Sequence, residues 1–70
     1  MNFTKKFRAL RRRIRDLHAQ GHLELEQATS LDRIIDAMEQ AARVRNNRGV
    51  RQAAGQFARA FLEFLDKMSR

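Results

Sequence analysis

The chain of 70 residues carries a formal net charge of +7 at pH 7 and contains neither cysteine nor proline. Disulfides and thiolate metal sites are therefore excluded, and the length allows a single domain, residues 1–70, with a small core. Stability has to come from regular helix packing or from oligomerisation.

The residue types favour helices along the whole chain. Good helix formers (Ala, Leu, Arg, Glu and Gln) dominate, while the β-branched and aromatic residues that favour strands are few. No run approaches the ~20 apolar residues of a membrane span, and the N-terminus lacks a secretory-signal pattern. We therefore expect an all-α protein in the cytoplasm. The Arg-rich start also fits a mitochondrial transit peptide, a reading that we disfavour because the core needs this segment.

The first predicted helix covers about residues 3–20. Its apolar residues recur at spacings of four and three, which places them on one face: Phe3, Phe7, Leu10, Ile14 and Leu17. The opposite face is cationic and holds Lys5, Arg8, Arg11, Arg12 and Arg15. Two further cations, Lys6 and Arg13, flank the apolar face. Gly21 supplies the left-handed residue that ends many helices.

The second predicted helix covers about residues 25–45. Glu24 is the expected N-cap with Gln27 at the capping-box position, and Leu23 and Ala28 are placed to form a hydrophobic staple. The predicted core residues of this helix are Ala28, Leu31, Ile34, Ile35, Met38, Ala41 and Ala42. Beside them runs an acidic row, expected to be solvated or paired with Arg: Asp32, Asp36 and Glu39.

The segment Asn46-Asn47-Arg48-Gly49 predicts a tight turn, because Asn and Gly tolerate positive φ. A third helix is predicted at about residues 50–68, and its apolar arc exceeds the ~100° stripe of an ordinary surface helix. This helix lies between the other two or is covered by a second chain. The candidate self-association residues are Phe57, Phe61, Phe64 and Met68. Short loops predict a small antiparallel three-helix bundle, which dimerisation could complete.

Positive charge is concentrated at the start of the chain, where residues 1–20 hold seven Lys or Arg and one Asp. Arg-rich helices bind phosphate backbones by charge and by bidentate hydrogen bonds, and an anionic partner offsets the mutual repulsion of the cations. All five Phe lie on apolar stripes, which argues against stacking on single-stranded bases. The candidate polyanion-binding residues are Lys5, Arg8, Arg11, Arg12, Arg13 and Arg15.

No residue pattern predicts catalysis, a metal or a cofactor. His18 and His22 have the spacing of a metal site on one helical face, but Gly21 is expected to end the helix between them. Acid–base chemistry by the acidic row needs a cleft beside a substrate, and a bundle of this size offers little room for one. A glycine-rich phosphate loop is also missing. We therefore expect a protein that is not an enzyme.

From Ile14 onward, the order of signals resembles the FIMAH domain, a small helical module of bacterial multidomain proteins. The residues that carry the resemblance, over about residues 14–68, are Leu17, Gly21-His22-Leu23, Glu24, Ala28, Leu31, Ile35, Ala42, the turn at Asn46–Gly49, Ala53-Ala54, Gln56 and Phe61-Leu62-Glu63-Phe64. The resemblance implies a non-catalytic helical bundle used as an accessory module, and it supplies no functional residues. The basic first helix departs from it.

Three functions are compatible with this sequence. The leading hypothesis is a small binding or regulatory protein that contacts a nucleic-acid backbone through its first helix. The alternative is a protein–protein adaptor or inhibitor that docks on an acidic or apolar partner surface. A third is peripheral membrane binding, in which the apolar face of the first helix inserts into anionic lipid.

Overall fold

The computed structural model describes residues 3–68, with side chains from residue 4 to residue 67. It contains three helices, α1 (Phe3–Ala19), α2 (Leu25–Arg43) and α3 (Asn47–Met68). No strand is present within this described range. The predicted all-α class and three-helix bundle are confirmed.

Helix α2 occupies the centre of the bundle. Its Leu31 and Ile35 are completely buried, and Ile14 of α1 is the third large side chain with almost no exposure. Helix α2 packs against both neighbours, whereas within residues 3–68 no Cα atom of α1 lies within 8 Å of a Cα atom of α3. The buried core is completed by Phe7, Leu23, Ala28, Met38 and Ala53. The positions of α1 and α3 are therefore set mainly through α2.

A left-handed glycine ends α1, as predicted. Gly21 has φ of +80°, a conformation in which a side chain would be strained. The backbone N–H of His22 donates to the Leu17 carbonyl at 2.8 Å, and the N–H of Gly21 donates to the His18 carbonyl at 3.0 Å. These two bonds form the Schellman motif.

The start of α2 also follows the prediction. Gln27 Oε1 accepts a hydrogen bond of 2.9 Å from the backbone N–H of Glu24, which is the reciprocal bond of a capping box. Leu23 and Ala28, the two staple residues, are both buried. The chain therefore leaves α1 and enters α2 in a defined direction.

The turn before α3 lies earlier in the chain than predicted. Arg45 is the left-handed residue, with φ of 56°, and α3 begins at Asn47. The Oδ1 atom of Asn46 accepts a bond of 3.0 Å from the backbone N–H of Gly49, which makes Asn46 the N-cap. The prediction of a turn at residues 46–49 is wrong for residues 47–49. They form the first turn of α3, because the Asn46 side chain satisfies a free N–H group at its start.

Replacing Gly49 by Ala tests this cap, and Gly55→Ala is its control. A Cβ at position 49 meets the Asn46 Nδ2 atom at 2.7 Å and the Ala41 Cβ atom at 3.1 Å, whereas a Cβ at position 55 meets nothing within 4 Å. We expect Gly55→Ala to raise the free energy of unfolding by about 0.5–1 kcal/mol through helix propensity. Gly49→Ala displaces the cap and should be about 1 kcal/mol less stable than Gly55→Ala.

The measurement is urea unfolding monitored by circular dichroism. The free energies are compared if the two variants have the same dependence of unfolding free energy on urea concentration. An equal increase in the free energy of unfolding in both variants would show that the Asn46 cap does not constrain position 49.

Candidate nucleic-acid interface

The cations of α1 fall into three groups, and the first is an exposed stripe. Its members recur at spacings of three, four and three, which places them on one helical face. All four are exposed, and no ion-pair partner of theirs exists among the side chains of residues 4–67. At a rise of 1.5 Å per residue the stripe is about 15 Å long. We call the following residues the cationic stripe: Lys5, Arg8, Arg12 and Arg15.

The second group is Arg11 alone, which is bound by the acidic row of α2. Its Nε and Nη2 atoms donate to Glu39 Oε1 at 3.1 and 2.9 Å, and Nη2 also donates to Asp36. The Oδ1 atom of Asp32 lies 3.8 Å from Nη1. The expectation that the acidic row pairs with Arg is confirmed.

Arg11 therefore does not belong to the open cationic face on which the sequence placed it. Its side chain is 29% exposed. It lies one turn after the buried Phe7, on the flank of α1 that meets α2. The guanidinium that was expected to be available for a polyanion is already occupied by carboxylates.

Two opposing effects act on the pKa of Arg11. Partial burial lowers it, while hydrogen bonds and attraction to Asp36 and Glu39 raise it more, so the net pKa lies above its ordinary value. The charge of Arg11 is therefore permanent across the pH range of interest. Its partners neutralise this one cation of α1 and leave the cationic stripe uncompensated.

The third group, Lys6 and Arg13, lines an open apolar groove between α1 and α3. The groove has a volume of about 540 Å³, and its other lining residues are Phe7, Ala9 and Leu10 of α1 and Val50 of α3. At roughly 100° per residue, Arg13 lies about a quarter turn around α1 from Arg12. Arg13, predicted as a polyanion-binding residue, is thus separate from the cationic stripe.

The predicted self-association residues of α3 are mostly engaged within the chain. Phe57, Phe61 and Phe64 are half-buried and pack against the core, and the rings of Phe57 and Phe61 stack with centroids 6.0 Å apart. The side chain of Met68 lies outside the described residues. Among the described side chains of α3, Leu62 is instead the most exposed large apolar residue, at 65%, followed by Leu65 at 37%.

His18, one of the two histidines, makes a local contact. The Nδ1 atom of His18 lies 2.9 Å from the carbonyl oxygen of Leu23, a hydrogen bond that ties the end of α1 to the loop. In the described part of the chain, no three His, Cys, Asp or Glu side chains are grouped to hold a metal ion. None of the helices, over the same residues, is long and apolar enough to cross a membrane.

Comparison with known proteins gives no match: no family model, no curated protein and no solved structure matches this chain. The resemblance to the FIMAH domain stays a prediction. Function has to be argued from the residues of this chain alone.

Removing the Arg11 guanidinium tests the contact between α1 and α2. We expect Arg11→Gln to lower the free energy of unfolding by about 1 kcal/mol, because Asp36 and Glu39 lose a charged hydrogen-bond donor and repel each other. Arg8→Gln is the control. It removes the same charge from an exposed position without an ion pair and should change stability by less than about 0.5 kcal/mol.

The stability of both variants is measured by thermal unfolding at low and at high salt. The account of Arg11 is contradicted if the two substitutions have the same effect on stability.

Proposed function

We propose that this protein is a non-catalytic, cytoplasmic binding or regulatory protein that contacts the phosphate backbone of duplex nucleic acid through the cationic stripe. The observation that carries the proposal is that the acidic row on α2 binds Arg11 and not the cationic stripe. Its hydrogen bonds go to Arg11, and among the side chains of residues 4–67 no carboxylate pairs with the stripe. A polyanion supplies the missing charge.

The unpartnered stripe opposes stability of the free protein in two ways. Four like charges within about 15 Å repel each other. In addition, the first turn of α1 contains no acidic residue, so Lys5 lies near the positive end of the helix dipole without compensation. A bound phosphate backbone relieves both effects and releases counterions.

The length of the stripe is compatible with a duplex backbone. A duplex carries one phosphate charge per ~1.7 Å of axis over its two strands, so each of the four cations can lie near a phosphate of one strand or the other. The described Phe side chains, at positions 7, 57, 61 and 64, are buried or half-buried, which disfavours stacking on single-stranded bases. Without groups aimed at base edges, binding depends on the backbone and varies little with sequence.

The two alternative partners fit α1 less well. Membrane insertion needs the apolar face of α1, but Phe7 and Ile14 are only 8% and 2% exposed. A helix that docks into a groove of a partner protein does so through exposed apolar anchors on one face. The large exposed apolar residues among the described side chains are Leu25, Val44, Leu62 and Leu65, and none of them lies on α1.

Fluorescence anisotropy with labelled duplex DNA and duplex RNA tests the proposal over a salt series. We expect the affinity of the parent to fall about 100-fold between about 50 and about 200 mM salt. Changing all four residues of the cationic stripe to Gln should remove most of this dependence, because about four phosphate contacts are lost.

A variant with the same loss of charge at four exposed positions outside α1 is the matched control. The substituted residues are Arg33, Arg43, Arg48 and Arg59. This control should retain most of the affinity and the salt slope of the parent. Equal losses in the two variants, or no binding by the parent at low salt, would contradict the proposal.

A further inference from the structure

The free chain exposes more surface than a compact protein of its mass. Its accessible area is 5716 Å², about a quarter more than the roughly 4,500 Å² expected of a compact monomer of 8.2 kDa. A standard protein interface covers about 800 Å² on each partner. The surplus is therefore large enough for one such interface.

One exposed surface is an apolar strip on α3 that no other helix covers within residues 3–68. Its members recur at spacings of four, four and three and lie within an arc of roughly 80°. They are turned away from the side of α3 on which the buried Ala53 meets the core. All four are exposed, and we call them the α3 strip: Ala54, Ala58, Leu62 and Leu65.

We propose that two copies of this chain form a two-fold dimer in which the α3 helices pack antiparallel along the α3 strip, with Ala58 near the axis. The strip is small in its N-terminal half and large in its C-terminal half. An antiparallel pair places Leu62 of the partner subunit against Ala54, so that a large residue packs over a small one. A parallel pair places the leucines against each other and leaves a gap between the alanines.

Charges at the two ends of the strip also favour an antiparallel pair of α3 helices. Arg51 flanks its N-terminal end and Asp66 its C-terminal end. With the axis at Ala58, Arg51 lies opposite Leu65 of the partner subunit and next to its Asp66, whereas a parallel pair places Arg51 against its own copy. The antiparallel arrangement also opposes the two helix dipoles.

The same register brings an apolar residue to the edge of the groove between α1 and α3. Position 50 pairs with position 66, so Leu65 of the partner subunit arrives near Val50, which lines the groove. The floor of the groove is apolar and its rim carries Lys6 and Arg13. A leucine complements the apolar floor of the groove.

The dimer does not depend on the proposed binding of nucleic acid. The cationic stripe lies about a quarter turn or more around α1 from Lys6 and Arg13, so it stays accessible when the groove is covered. Self-association can therefore be measured without any ligand, on variants that leave the stripe unchanged.

Sedimentation equilibrium over a micromolar to millimolar concentration series tests the dimer. The parent should approach twice the 8.2 kDa of one chain. Ala58→Glu places two carboxylates near the axis and should weaken Kd at least about tenfold. The control is Ala37→Glu, an exposed alanine in α2, which should associate like the parent. Circular dichroism checks that both variants keep their helix content.

A charge exchange tests the direction of the helices. Arg51→Glu and Asp66→Arg should each weaken the dimer, and the double variant should recover most of the loss, because the two charges lie next to each other in an antiparallel pair. A parent that stays monomeric at every concentration overturns the proposal. A dimer that Ala58→Glu does not weaken overturns it as well.

Discussion

The contact between α1 and α2 determines which surfaces of the bundle are available for binding. Its apolar part is the core cluster that contains Ile14 of α1 with Leu31 and Ile35 of α2, and its polar part is the set of hydrogen bonds from Arg11 to the acidic row. Together they fix the rotation of α1 about its own axis. Because α1 and α3 have no close backbone contact over residues 3–68, this rotation alone decides that the cationic stripe faces solvent while Lys6 and Arg13 face the groove.

The same contact explains how so basic a helix can be part of a small domain. Among the side chains of residues 4–67, three large ones are fully buried, so the apolar contribution to stability is modest. One cation is neutralised within the chain by carboxylates, and the repulsion among the other cations of α1 remains. A ligand that binds only the folded state stabilises it by an amount that grows with the logarithm of its concentration once this exceeds Kd. Binding of a polyanion and stability of the fold are therefore linked through α1.

Much of this fold could be predicted from spacing and caps. Apolar residues at intervals of three and four predicted three helices, and Gly21 and the Glu24–Gln27 pair predicted the first turn. The second turn was misplaced because Asn46 serves as an N-cap as readily as it forms a turn.

The pattern of α1 alone could not show which flank of its apolar face meets α2, so Arg11 was assigned to solvent. The acidic row was a useful signal. Its spacings of four and three place three carboxylates on one face of α2, where they can surround one cation of a neighbouring helix. For α3, the wide apolar arc could not show that Phe57, Phe61 and Phe64 face the core while Leu62 is exposed.

The central claim is that neighbouring arginines of one helix have different roles. The most direct measurement is a titration of isotope-labelled protein with duplex nucleic acid, followed by NMR of the arginine Nε–H groups. The account predicts that the signals of Arg8, Arg12 and Arg15 shift with added duplex, while that of Arg11, whose Nε–H is bonded to Glu39, stays in place. An Arg11 signal that shifts as much as the others, or shifts spread evenly over α2 and α3, would contradict it.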